Sequence, residues 1–399
     1  MAPRIRQVQI QNYKSIERAV VDLEPFTAFV GPNGAGKSNF VDALAFVQEC
    51  VSHGIENAIK SRGIPFFFPR WMRTGEVRVG FRFLLDLPGG SSADYAFEIS
   101  GRPLDRFRVA RERCALCLGD SERAVFEIAD GQFLHPIPGI RPRMEPDRLA
   151  IFAASATEEF RSVYDFLSAM KVYSIEPSRM SVVQEAESGR ILEPDGSNAA
   201  TVMRMLEETA PEISGHLNRL LACAVEGIEL ATTLTADHRV ALEFRKDVGS
   251  KQPATFYSTD MSAGTLRILG LLLALYQPWR PSLVAIEEPE ATVHPAAAEL
   301  IVQVLLDAAQ DRQVLITTHS PDILDAKELS DEQIRVVTME QGRTIIAPLA
   351  TASRKAIRER LYTPGELLRI DELSQDLEAA SENARHLRLF GETATPAHS

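Results

Sequence analysis

Cysteine is scarce: four thiols, Cys50, Cys114, Cys117 and Cys223, in 399 residues. That argues against a disulfide-stapled scaffold and fits a reducing compartment. Cys114-x-x-Cys117 has no second pair to complete a four-ligand zinc site. The segment around it reads as a strand, where positions three apart face opposite sides, so these are ordinary strand residues. Long apolar runs are also missing. The most apolar stretch, Ile268 to Tyr276, is far short of a membrane span, and Met1 to Arg6 lacks the apolar core of a signal peptide. The expected location is cytoplasmic, with no membrane partner. Positive charge is in deficit, 43 Lys and Arg against 55 Asp and Glu, for a formal net charge of -12. A surface this acidic does not coat DNA nonspecifically, although a local basic face is compatible with it. There is no internal repeat and no sustained heptad, so no long coiled coil is expected.

What is present is ordinary globular composition, 45% hydrophobic and 25% charged, in a chain long enough for two packed lobes. Residues 5–30 alternate apolar and polar positions and read as strands. Residues 52–75 read as irregular, with Gly54, Gly63, Pro65 and Pro69. From Glu76 to Phe133 β character dominates. Val77 to Phe83, Tyr95 to Ile99, Phe107 to Leu118 and Ala124 to Ile128 are separated by Gly and Asp clusters, which predicts an antiparallel meander. Residues 157–170 and 198–223 read as helices and 228–246 as strand. Helix (Ser262 to Tyr276), strand (Leu283 to Ile286), helix (Pro295 to Ala309) and strand (Val314 to Thr317) then alternate, the pattern of a parallel α/β core. After Ile345 come a helix-like Arg354 to Leu361, a turn at Tyr362 to Leu368 and a charged tail, expected to be disordered from Gly391.

One stretch carries most of the chemistry. Gly31-Pro32-Asn33-Gly34-Ala35-Gly36-Lys37-Ser38 matches G-x-x-x-x-G-K-[ST], between an apolar strand (Thr27 to Val30) and a helix that begins at Asn39. Glycines let backbone N–H groups turn toward phosphates, and a helix N-terminus favours anions. Lys37 would neutralise the β- and γ-phosphates, and the Ser38 hydroxyl would ligate Mg2+. Together with Asn39 these residues form the expected ATP-binding set.

The second half supplies candidate partners. Ser282 to Glu288 is an apolar strand ending in two carboxylates, at the sheet edge where ligands bind. Glu287 suits the Mg2+ shell, and Glu288 suits a general base that polarises water. Val314 to Thr317 is a second such strand, leading through Thr318 to His319, which at that edge would hydrogen-bond a γ-phosphate or the water. Met261-Ser262-Ala263-Gly264-Thr265 opens a strongly apolar helix. Ser262 is either a plain N-cap or part of a second anion site. A chain with its own phosphate loop would use such a site on another subunit's ATP.

These four elements occur in the order Walker A, signature, Walker B and switch histidine, and the chain resembles the SMC, RecF and OLD-like ABC-type ATPases. Val8-x-Ile10-x-Asn12-Tyr13-Lys14-Ser15-Ile16, Glu287-Glu288-Pro289-Glu290, Thr318-His319-Ser320-Pro321 and Leu192-Glu193-Pro194-Asp195-Gly196-Ser197-Asn198 are similar to the same group. The resemblance spans roughly residues 5–345. It implies an α/β fold, a P-loop NTPase head of the ABC type with an antiparallel β subdomain and a helical lobe. The head would cover 1–390: lobe I about 1–180 with a β-rich insert at 52–150, lobe II about 181–280, a core return at 281–350 and a helical extension at 351–390. The tail would be 391–399. Two heads would sandwich two ATP molecules, each held by the loop of one chain and by Ser262 and Gly264 of the other, with Lys14 and Ser15 near the nucleotide. Glu288 takes the role of base and His319 that of switch. Glu287 stands where many relatives have Asp, and the signature reads Ser-Ala-Gly-Thr. The Q-loop glutamine has no placed counterpart: Gln48 lies too early, and Gln184 is the remaining candidate. No Toprim nuclease segment is recognisable, which implies a stand-alone ATPase of a group often paired with a separate effector protein.

The β-rich insert is the expected place for an output. Lys60 to Arg148 holds 15 Lys and Arg against 12 Asp and Glu. Arg102, Arg106, Arg108, Arg111 and Arg113 crowd one segment, and Phe66, Phe67, Phe68 and Trp71 lie beside Arg70 and Arg73. Such a mixture either holds nucleic acid or forms a solvated strand face over a buried cluster. The expected function is an ATP-driven dimeric switch in DNA maintenance or phage defence. The alternative is an ATP-dependent clamp for DNA or protein in which hydrolysis only resets binding. A transporter engine is disfavoured by the signature and the opening motif.

Overall fold

The computed structural model describes residues 2–63, 75–102, 107–119, 121–185, 189–250 and 252–390. Phe66 to Phe68, Arg70, Trp71, Arg73, Arg106 and the tail from Gly391 lie outside the described residues. The chain divides into two units: residues 1–170 with 332–355 and 373–399, and residues 171–331 with 356–372.

In the first unit a seven-stranded antiparallel sheet runs in the order Ile16–Asp22, Arg4–Tyr13, Val77–Asp86, Ser91–Gly101, Arg108–Leu118, Ser121–Ala129, Gln132–His135. Period-2 patterning sets its faces. Val77, Val79, Phe81, Phe83 and Leu85 are buried while Arg78 is exposed and Arg82 half-buried. Phe81 lies opposite Phe97 with ring centroids 5.3 Å apart. The last hairpin turns on Asp130-Gly131, both at positive φ, as a tight two-residue turn requires. Separately, the strand Phe26–Val30 is buried on both faces and runs parallel to Ile334–Glu340, with Val30 level with Val336. Ile334–Glu340 pairs antiparallel with Arg343–Pro348. The helix Lys37–His53 follows the glycine-rich loop. Its Phe40, Leu44, Phe46 and Val47 are completely buried, each worth roughly 2 kcal/mol, and Phe46 joins Tyr13 and Phe81 in one aromatic cluster.

The second unit holds three parallel strands, Lys171–Tyr173, Leu283–Glu287 and Gln313–Thr318, with Ile286 level with Tyr173 and Glu287 level with Thr317. Ala263–Tyr276 and Ala298–Ala308 are its helices of the α/β alternation. A separate antiparallel sheet combines Gln184–Glu185, Arg239–Lys246, Ile228–Ala236 and Ala254–Tyr257.

Three local expectations change. Residues 52–75 are not irregular throughout, because Ile55–Arg62 is a helix flanked by Gly54 and Gly63 at positive φ. The helix expected over 198–223 is two, Ala199–Thr209 and Pro211–Ala224; Pro211 lacks the N–H to continue the first and is well placed to start the second. The turn at 362–368 is the helix Pro364–Arg369, opened by a capping box between Thr363 and Glu366. Among the described residues no helix is long and apolar enough to cross a membrane.

Candidate functional site

In the first unit the buried strand ends at Val30 and the chain turns at once. Gly31 has no room for a side chain, since a Cβ there would lie 2.0 Å from the carbonyl oxygen of Val337. Gly34 (φ 79) and Gly36 (φ 103) adopt the left-handed backbone that glycine alone visits freely. Pro32, Asn33, Gly34 and Ser38 are exposed, while Ala35 is buried. The helix starts directly at Lys37, with Gly36 at its N-cap and no side-chain cap, so its N-terminal field is open to an anion. Lys37 is buried and arches across its own loop, its Nζ donating to Gly31 O at 2.6 Å and Pro32 O at 3.1 Å.

The opening hairpin meets this loop through Ser15. Asn39 Nδ2 donates to Ser15 Oγ at 2.5 Å, and Ser15 Oγ lies 2.6 Å from Thr344 Oγ1. Lys14 is turned to Asp42 on the helix, with Nζ 2.5 Å from Oδ2. The same carboxylate accepts from Tyr13 OH at 2.6 Å and Arg62 Nε at 2.9 Å. Burial opposes ionisation of Asp42, yet the Arg62 and Lys14 charges outweigh it and hold its carboxyl below the ordinary range. Sequence reasoning missed Asp42 and Thr344, neither of which belongs to a motif.

In the second unit parallel pairing sets Glu287 and Glu288 beside Thr317 to His319 at the carboxyl ends of adjacent strands. Glu288 N donates to Thr317 O at 3.0 Å. His319 Nδ1 lies 3.4 Å from Glu288 Oε1, both side chains open to solvent. Glu288 has φ 44, a conformation strained for a residue with a Cβ and found preferentially at functional sites. Glu290 braces the histidine: its Oε1 accepts from Thr318 Oγ1 at 2.6 Å and is approached by His319 N at 3.4 Å. Buried Glu287 Oε1 and Glu290 Oε2 have no hydrogen-bond partner among the described residues.

Ser262 caps the helix Ala263–Tyr276, its Oγ accepting from Thr265 N at 3.1 Å. The plain N-cap is thus present, and Ser262 is exposed. Gly264 approaches Thr292, whose carbonyl oxygen would lie 2.6 Å from a Cβ on Gly264. A cavity of about 750 Å³ is lined by Ser262, Gly264, Thr265, Thr292, His294 and Cys223 among others.

Both glutamines weighed for the Q-loop serve local structure. Gln48 Nε2 donates to Ser168 O at 3.1 Å, and Gln184 Oε1 accepts from Ala200 N at 2.9 Å, capping Ala199–Thr209. Several arginines of the antiparallel sheet have carboxylate partners: Arg82 with Asp94, Arg108 with Asp130, Arg111 with Glu127, Arg113 with Glu122. At these four positions the strand face is charge-laced rather than a row of free cations.

Known proteins share both halves. A family profile described as "AAA ATPase domain" matches residues 4–66, which include the glycine-rich loop. One described as "AAA domain, putative AbiEii toxin, Type IV TA system" matches residues 211–325, which include Ser262, Glu287, Glu288 and His319. The Phosphonates import ATP-binding protein PhnC 1 of Ruegeria sp. is 30% identical over 126 residues, covering 32% of this chain and 47% of its own length. The OLD nuclease of Thermus scotoductus is 22% identical over 371 residues, covering 86% of this chain and 63% of its own length. The matched stretches thus span about half to two thirds of these relatives. In fold, the chain is similar to an SmcHead solved bound to the C-winged helix domain of ScpA, with TM-score 0.54, 13% identity, and coverage of 87% of this chain and 98% of that one.

Proposed function

We propose that the chain, which is similar to SMC/RecF/OLD-like ABC-type AAA ATPases, binds and hydrolyses ATP in a dimer that closes around the nucleotide. The observation that carries this reading is the loop itself: two left-handed glycines, an uncapped helix N-terminus and a buried lysine, all concentrated where a polyphosphate would lie. In this reading the loop of one copy and the Ser262–Gly264 helix start of a second copy hold each ATP.

Ser38 and Glu287 are the residues that would hold Mg2+. Both offer oxygen, the donor a hard cation takes, and the orphaned buried Oε1 of Glu287 fits such a ligand. When bound, the ion would offset phosphate charge. Glu288 then takes a proton from water as the water oxygen attacks the γ-phosphorus. The bond from that phosphorus to the bridging oxygen breaks, and the electron pair leaves on ADP, where Lys37 balances it. His319, braced through Glu290 and Thr318, orients the Glu288 carboxylate.

The closed state would gate a DNA transaction or a partner effector, in DNA maintenance or phage defence. The relative named as a nuclease supports a link to nucleic acid. The carboxylate partners of the sheet arginines favour an effector protein as the direct contact. The test is phosphate release from Mg2+-ATP by the wild type and by Glu288→Gln, beside equilibrium ATP binding by both. Binding by both with turnover by the wild type alone supports the reading; absence of binding by the wild type overturns it.

A further inference from the structure

Thr344 lies far along the chain from the glycine-rich loop, on the strand Arg343–Pro348, and is 3% exposed. Its Oγ1 donates to Ala35 O at 3.0 Å. Its N–H donates to Ser15 O at 2.8 Å. Gly36 packs on it so closely that a Cβ there would overlap Thr344 Oγ1. The direction of the hydroxyl bonds follows from donor arithmetic. Thr344 has one hydroxyl proton, committed to Ala35 O, so in the Ser15 contact Ser15 is the donor and Thr344 the acceptor. Ser15 in turn accepts from Asn39, whose Nδ2 is only a donor. The chain runs one way, Asn39 to Ser15 to Thr344 to the Ala35 carbonyl, and each bond polarises the next.

We infer that Thr344 is a positioning residue that aims the Gly36 N–H at the phosphates. In a planar trans peptide the C=O and the following N–H point in opposite directions. Fixing Ala35 O on Thr344 therefore turns the Gly36 N–H to the other side of the peptide, the side on which the reading above places the nucleotide. The left-handed φ of Gly36 (103°) lets the helix begin immediately after this peptide. Thr344 touches no substrate; it acts through the orientation of one amide. The inference rests on the reading that this loop binds ATP.

The test compares ATP affinity in Thr344→Val, Thr344→Ala and Thr344→Ser, with Lys37→Ala as the control for the loop itself. Valine keeps the shape and removes the hydroxyl; alanine removes both; serine restores the hydroxyl without the methyl. The expected result is an ATP dissociation constant at least tenfold higher in Val and Ala and within about threefold of wild type in Ser. Should the Val form fail to fold, the Ala and Ser pair reads the same contrast, and a thermal unfolding scan of each apo variant identifies that case. If Ala, and Val where folded, bind ATP like the wild type while Lys37→Ala does not, Thr344 has no such role. If Ser is as weak as Ala, packing rather than the hydroxyl is responsible, and the inference is equally overturned. If the wild type itself fails to bind ATP, the loop reading has failed first.

Discussion

The glycine-rich loop and the acidic strand edge handle polarity in opposite ways. In the loop the buried cation and a carbonyl have partners within the chain: Lys37 is held by Gly31 O and Pro32 O, and Ala35 O by Thr344. At the edge, the buried Glu287 Oε1 and Glu290 Oε2 lack hydrogen-bond partners among the described residues. A buried acceptor without a partner costs about 1–3 kcal/mol, and a carboxylate is relieved of it by a cation. The lysine and the Ala35 carbonyl of the loop are thus held from within the chain, whereas two carboxylate oxygens of the edge are not held by the described residues. A third buried acid sharpens the contrast. Glu112 is completely buried in the antiparallel sheet, yet it accepts from Ala150 N, Ile151 N and Tyr95 OH. Burial pushes its carboxyl up to about 7, against the pull of those three donors.

The largest effect is expected on the satisfied side. Lys37→Ala removes the charge from the loop and should weaken ATP binding by on the order of 100-fold; calorimetric affinity close to wild type would break the comparison at its base. Next is Glu288→Gln, which keeps shape and removes the base. Phosphate release should fall by on the order of 100-fold or more with ATP affinity retained, and turnover near wild type would remove Glu288 from the chemistry. On the unsatisfied side, Glu287→Gln replaces an anionic ligand by a neutral one. The Mg2+ concentration for half-maximal turnover should rise by about tenfold, whereas an unchanged requirement would leave the orphaned oxygen unexplained by a cation.

The remaining effect concerns stability. Glu112 holds its proton up to about pH 7 in the folded chain and loses it near 4.5 when unfolded. Between those values the folded state binds more protons, so stability falls as pH rises from about 4.5 to about 7 and is level above. The full span corresponds to roughly 3 kcal/mol. Urea unfolding at pH 5 and pH 8 should show Glu112→Gln losing less of its stability over this interval than the wild type; equal losses would remove Glu112 as the source.

Much of this was legible in the sequence because the relevant chemistry is contiguous. The loop, the carboxylate pair after an apolar strand and the histidine after the next strand each declare themselves within a few residues. Parallel register then makes Glu288 and His319 neighbours. What escaped depends on distance along the chain or on pairing. Thr344 meets Ala35 across the fold, and Asp42 gathers Tyr13, Lys14 and Arg62 from three separate segments. Basic residues counted along the insert gave a local excess of positive charge, but strand pairing brings carboxylates to several of those arginines, as in Arg82 with Asp94. The helix at Pro364 was a missed signal of another kind, since Thr363-Pro364-Gly365-Glu366 is a readable capping box.

A nucleotide site shared by two copies is read out by the molecular mass of Glu288→Gln in solution, by light scattering with and without Mg2+-ATP. Mg2+-ATP should shift this variant to twice the monomer mass, and adding Ser262→Arg should abolish the shift while ATP still binds. ATP bound at saturation with no change in mass, or a shift that survives Ser262→Arg, would contradict the shared site.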